Sequence, residues 1–165
     1  MKSGWVSNYG IIPYIFYGLY VSLLKAPNLL SYNLHPVVIV LLVIALGFFT
    51  ALITRALYVN MVYYTGKIWK GQATKNEIDT VVSLSFIPYL IVLLHTITML
   101  LFSLGDFSSI YENNILLLVV YLFSLRTILL GIAKVQKFSY GLSVLSIWLL
   151  PMIIVMIYFL LRGLF

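Results

Sequence analysis

The chain has 165 residues, 63% of them hydrophobic and 8% charged, with a mean hydropathy of +1.10. Soluble domains carry about a quarter charged residues, so a water-soluble fold is excluded. The formal charge of +6 does not indicate nucleic acid, because the basic residues sit at the ends of apolar runs and form no polar face.

The apolar runs are long and continuous, without the short alternation of a membrane β-barrel, so they predict helices. The expected fold is all-α: a polytopic transmembrane bundle of five helices, forming one membrane domain over residues 1–165 with no soluble domain. The first segment runs from about Trp5 to Leu24, with Trp5 and Tyr9 as interfacial aromatics. Its strongly apolar part, Ile11 to Leu24, is about 14 residues and short for a span. Four spans plus an interfacial first helix is therefore the alternative. Lys2 ahead of this segment resembles a signal-peptide start, but Leu24-Lys25-Ala26-Pro27 offers no small-x-small cleavage site. The segment is expected to stay in the mature chain.

Lys25 to His35 reads as a loop punctuated by Pro27, and Pro36 suits the first turn of the next helix. The second segment, Pro36 to Tyr63, is about 42 Å long as a helix and must tilt or project from the bilayer. The third runs from Thr80 to Leu104, the fourth from Ile115 to Ile132 and the fifth from Leu142 to Leu161. No internal repeat of the transporter kind is present.

With the N-terminus inside, the inner side holds Lys2, Arg55, Lys67, Lys70, Lys75, Arg126, Lys134 and Lys137 against Glu77 and Asp79, a net +6. The outer side holds Lys25 and Arg162 against Asp106 and Glu112, a net 0. The positive-inside rule then predicts a cytoplasmic N-terminus and an outside C-terminus.

Arg55 and Arg126 lie inside apolar segments, about two turns from their inner ends. Either both snorkel to lipid phosphates as anchors, or they pair with Asp79, Glu77 or an acid of a partner. The loop Gly66 to Lys75 is the second candidate. Lys67, Lys70 and Lys75 face anionic headgroups, and Trp69 suits the headgroup level. Thr74 with Glu77 reads as a capping box that restarts the helix. With Lys134 and Lys137 these residues form the candidate partner- or lipid-binding set, against the plainer reading of an orienting basic loop.

Pro88 is expected to kink the third helix, with Ser83 and Ser85 placed to satisfy the freed backbone, and Pro151 the fifth. Ala45, Gly47 and Ala51 suggest a small-residue packing stripe on the second helix, for a helix of this chain or of a partner. His35 and His95 are far apart in sequence and lack mid-membrane acids, so no metal site is expected. The chain has no cysteine, and its four carboxylates lie in loops or at helix ends. Neither a catalytic constellation nor a cofactor site is legible, and the chain reads as no enzyme.

The middle of the chain resembles the Yip domain family, the Ypt/Rab-interacting membrane proteins, and its prokaryotic members most. The resemblance rests on the basic loop Gly66 to Lys75, Val81-Val82, and Ser83-Leu84-Ser85-Phe86-Ile87-Pro88. It extends to the lysine-bearing loop from Gly131 to Ser143 and the terminal apolar helix, covering about residues 36–165. It implies five membrane helices, a cytosolic N-terminus and a prokaryotic cell membrane. The long N-terminal region and the aspartate-leucine-tyrosine-glycine-proline motif of the eukaryotic relatives are missing from this sequence, so Rab binding does not carry over. The expected function is a non-catalytic membrane scaffold or accessory subunit. It would dock a membrane-protein partner or a second copy of itself on an anionic inner leaflet, and organise membrane, trafficking or transport machinery. The alternative is a small transporter or lipid-moving protein, favoured by the kinked helices, His95 and the arginines.

Overall fold

The computed structural model describes residues 10–32, 34–102 and 114–164. Lys2, Trp5, Tyr9, Asp106 and Glu112 lie outside the described residues, as does the side chain of Arg162. Among the described residues seven helices follow one another: α1 Ile12–Leu23, α2 Ala26–Leu30, α3 Pro36–Ile68, α4 Lys75–Phe86, α5 Tyr89–Phe102, α6 Asn114–Gln136 and α7 Tyr140–Leu164. Among the described residues three stretches are long and apolar enough to cross a membrane: Pro36–Ile68, Lys75–Phe102 (α4 with α5) and Ile115–Gln136. Ile12–Leu23 and Tyr140–Leu149 are shorter apolar helices.

Local chemistry accounts for the ends. Pro36 occupies the first turn of α3, and His35 caps it, its Nδ1 accepting the Val37 N–H at 3.3 Å. Pro27 does not hold its segment as a loop. It starts the five-residue α2, because proline lacks only a donor that a first turn leaves unused. The expected capping box is present: Thr74 Oγ1 accepts from the Glu77 N–H at 3.3 Å, and the Thr74 N–H donates to Glu77 Oε2 at 2.8 Å. α4 therefore begins at Lys75, five residues before the apolar run starts.

The core is built on α1. It packs most extensively against α3, and also against α4 and α5. The crossing with α3 is close because both helices present glycine. A Cβ on Gly18 would collide with the Gly47 carbonyl and lie 3.0 Å from the Ala51 nitrogen; one on Gly47 would lie 2.6 Å from Leu19 Cδ2. The buried stripe of α3 is thus Ile39, Val43, Gly47 and Ala51, spaced by four. Ala45 is not on it and is exposed, since two residues turn a helix by about 200°. The small-residue face serves a helix of this chain.

Pro88 breaks the helical hydrogen-bond pattern of the third segment: α4 ends at Phe86 and α5 starts at Tyr89, although Ile87 keeps a right-handed helical backbone at φ −54° and ψ −42°. The Ile87 N–H donates to the Leu84 carbonyl at 3.3 Å, and the Ser124 hydroxyl of α6 donates to the Ser85 carbonyl. Ser83 and Ser85 do not perform this service. Their hydroxyls donate to Thr80 and Val82, one turn back in α4. Pro151 lies inside a continuous α7.

Candidate functional site

Arg55 and Asp79 meet where α3 passes the first turns of α4. The guanidinium forks onto the carboxylate, with Nη2 2.7 Å from Oδ2 and Nε 3.2 Å from each oxygen. A planar fork matches a carboxylate in this way, whereas an ammonium cannot. Tyr14 of α1 completes the group, donating its hydroxyl to Asp79 Oδ1 at 2.8 Å. Tyr14 is fully buried, while the Arg55 and Asp79 side chains are 40% and 20% exposed. One carboxylate thereby joins three helices. Beside it a cleft of about 360 Å³ is lined by Arg55, Asn60, Lys75 and Asn76, over the apolar floor of Leu52 and Val59.

The turn between α3 and α4 is built around a buried amide. Gln136, the last residue of α6, is 2% exposed and accepts the Ala73 N–H at 3.3 Å. Its side chain fills the space where Cβ atoms of Gly66 and Gly71 would lie. The Gly71 N–H donates to the Gly66 carbonyl at 2.9 Å, closing the end of α3, and Lys70 takes a left-handed backbone with φ 59°. Gly66 therefore does not break the helix as its sequence position suggests. α3 runs to Ile68, past the expected end at Tyr63.

Lys67, Lys70, Lys75 and Glu77 are exposed, and Trp69 is half-buried. Lys67 Nζ donates to the Gly71 carbonyl at 3.3 Å and stands 5.4 Å from the centre of the Tyr63 ring. Lys134 and Lys137 are exposed near the end of α6, where Lys137 has φ 58°. Arg126 is also exposed and takes no part in the Arg55 cluster. The sequence residues thus separate into a bonded pair, Arg55 with Asp79, and a set of exposed cations around the Gln136 turn.

A third feature comes from tyrosines that the sequence reading passed over. Tyr14, Tyr17 and Tyr20 recur every three residues on one face of α1 and meet Phe86 and Tyr89, the residues flanking the Pro88 break. The Tyr17 ring lies 4.7 Å from Phe86 and 5.0 Å, edge-on, from Tyr89. That spacing was the available signal, because an i, i+3, i+6 stripe marks a packing face. Behind it is a cavity of about 220 Å³ reached by residues of α1, α3, α4, α5, α6 and α7. No three His, Cys, Asp or Glu side chains among the described residues group closely enough to hold a metal.

No protein-family model matches this sequence, and no curated protein or solved structure matches it.

Proposed function

We propose that this protein is a non-catalytic integral membrane scaffold of the Yip-like type, an accessory subunit that docks a membrane-protein partner. In this reading α1, α3, α4 with α5, α6 and α7 are five membrane helices, with the N-terminus cytoplasmic and the C-terminus outside a prokaryotic cell membrane. The observation that carries it is the Arg55–Asp79–Tyr14 group. Arg55 and Asp79 are bonded to one another, and with Tyr14 they hold three helices together. A transport pathway would instead leave such groups facing the substrate's route. The exposed apolar rows of α3 and α6, including Val40, Phe48, Leu52, Leu118 and Leu122, supply surface for lipid and for a partner helix.

Affinity purification in mild detergent tests this. A scaffold should bring down one membrane protein, or a second copy of itself, in stoichiometric amount, and Arg55→Leu should release it by deforming the helix cluster. A monodisperse monomer carrying lipid alone would overturn the reading. A small transporter or lipid-moving protein is the second reading. Two adjoining cavities that share Tyr17, Tyr89 and Tyr121 favour it.

A further inference from the structure

The cavity behind Pro88 gathers one tyrosine from each of four helices: Tyr17 of α1, Tyr58 of α3, Tyr89 of α5 and Tyr121 of α6. The Tyr17 and Tyr89 rings meet edge-on at 5.0 Å, and Tyr58 and Tyr121 border the same space. None of the four hydroxyls has a hydrogen-bond partner among the described residues, yet no buried side-chain polar atom there is left unpaired. The hydroxyls of Tyr17, Tyr58 and Tyr89 are therefore not sealed inside protein, and the space that these residues share with Tyr121 is this cavity. In an apolar surrounding, donors held this way gain from any molecule that brings acceptors.

The rest of the lining narrows the class of that molecule. No lining side chain is charged at neutral pH, so an anionic or cationic head would lose its hydration without a counter-charge. Phe86 and Trp148 add aromatic walls, which favour a flat ring by stacking or edge contact. The volume of about 220 Å³ equals about seven water molecules, enough for a substituted six-membered ring. An adjoining cavity of about 410 Å³ shares Tyr17, Tyr89 and Tyr121 and continues along Val21, Leu24, Leu117 and Leu118. Its walls suit a hydrocarbon tail.

We propose that this double cavity binds a neutral, lipid-soluble carbonyl compound. Its oxygen-bearing ring lies among the tyrosine hydroxyls and its apolar tail lies against α1 and α6, as the chemistry of an isoprenoid quinone requires. The hydroxyls of Tyr58 and Tyr121 donate to the ring carbonyls. Tyr121, 42% exposed, stands at the mouth. The site is separate from the Arg55 group and independent of any protein partner.

Trp148 makes the site measurable, because a quinone ring in contact with an indole quenches its fluorescence. Trp5→Phe and Trp69→Phe leave Trp148 as the sole tryptophan. The purified protein in detergent is then titrated with a benzoquinone bearing one isoprene unit. Saturable quenching at one site is expected, unaffected by a hydrocarbon of equal tail length or by an anionic phospholipid. Tyr58→Phe with Tyr121→Phe should raise the half-saturation about tenfold, the loss of two modest hydrogen bonds, at an unchanged melting temperature. Leu118→Phe, which narrows the tail cavity from an exposed position and adds no second indole, should weaken binding without touching the hydroxyls. Quenching that rises linearly without saturating overturns the proposal. So do equal titration curves in the tyrosine variants, or full displacement by the hydrocarbon.

Discussion

Arg55 and Arg126 start from equal positions in the sequence and end differently. Arg55 faces Asp79 across a helix crossing and forks onto it, whereas Arg126 is exposed. Arg55→Lys is expected to lower stability by about 1–3 kcal/mol, between the values of exposed and buried pairs, because an ammonium makes one of the contacts. Arg126→Lys should be silent. Thermal melts in one detergent check both, and equal losses would mean the two arginines are alike. Tyr14→Phe removes a hydrogen bond to a charged group and should cost about 1.5–3 kcal/mol. The sequence leaves Arg55 between snorkelling to lipid phosphates and pairing with an acid such as Asp79, and only the fold shows which it does. The part of Tyr14 is not legible, because a tyrosine near a helix end reads as an interfacial aromatic until the fold shows what its hydroxyl reaches.

Between helices, glycine positions decide how near the axes come. Gly18→Leu should separate α1 from α3, since the new side chain would meet the backbone of Gly47 and Ala51, neither of which can give way. A loss of at least about 3 kcal/mol, or failure to fold, is expected, against a small effect for Gly141→Leu, where nothing lies within reach. The comparison is read by the fraction of monodisperse protein after extraction. At the α3–α4 turn, Gly71→Ala collides with Gln136, so pairing it with Gln136→Ala should restore part of the lost stability. A strictly additive double variant would show that the glycine serves only its backbone. The boundaries of α3 and α4 were harder to read than their existence. Lys67 and Gly66 look like a loop, yet a helix leaving the apolar layer keeps its own hydrogen bonds whatever its side chains. The Ala45 assignment failed for an angular reason, as spacing by four defines a helix stripe and spacing by two leaves it.

Across the whole molecule, the orientation rests on which end of the bundle carries cations. The Gln136 turn collects Lys67, Lys70, Lys75, Lys134 and Lys137, a concentration that the positive-inside rule assigns to the cytoplasm. Single cysteines replacing Lys70 and Lys137 are expected to resist a membrane-impermeant thiol reagent in intact cells, and one replacing Glu112 should label. The chain has no cysteine of its own to confuse the result. The reverse pattern would invert the molecule and remove the charge argument for the Yip-like reading. The helical class was legible from composition, because continuous apolar runs have few alternatives in a bilayer. The division of the described residues into α1 to α7 was not, since the Pro88 break and α2 depend on which backbone groups find partners in three dimensions.

The placement of Gln136 also sets an order of events during synthesis. Asp79 follows Arg55 by only 24 residues, so both partners of the ion pair exist before α5, α6 and α7 are made. The amide that seats the α3–α4 turn arrives 63 residues after Ala73. At about 5–20 residues per second that interval lasts about 3–13 s. Throughout it, Gly66 and Gly71 flank a notch with nothing to fill it, and the Ala73 N–H lacks the acceptor it has in the finished fold. The nascent hairpin is therefore ionically joined but loosely turned. Closing the turn is coupled to completion of α6, so arrival of that helix tightens a segment made long before it.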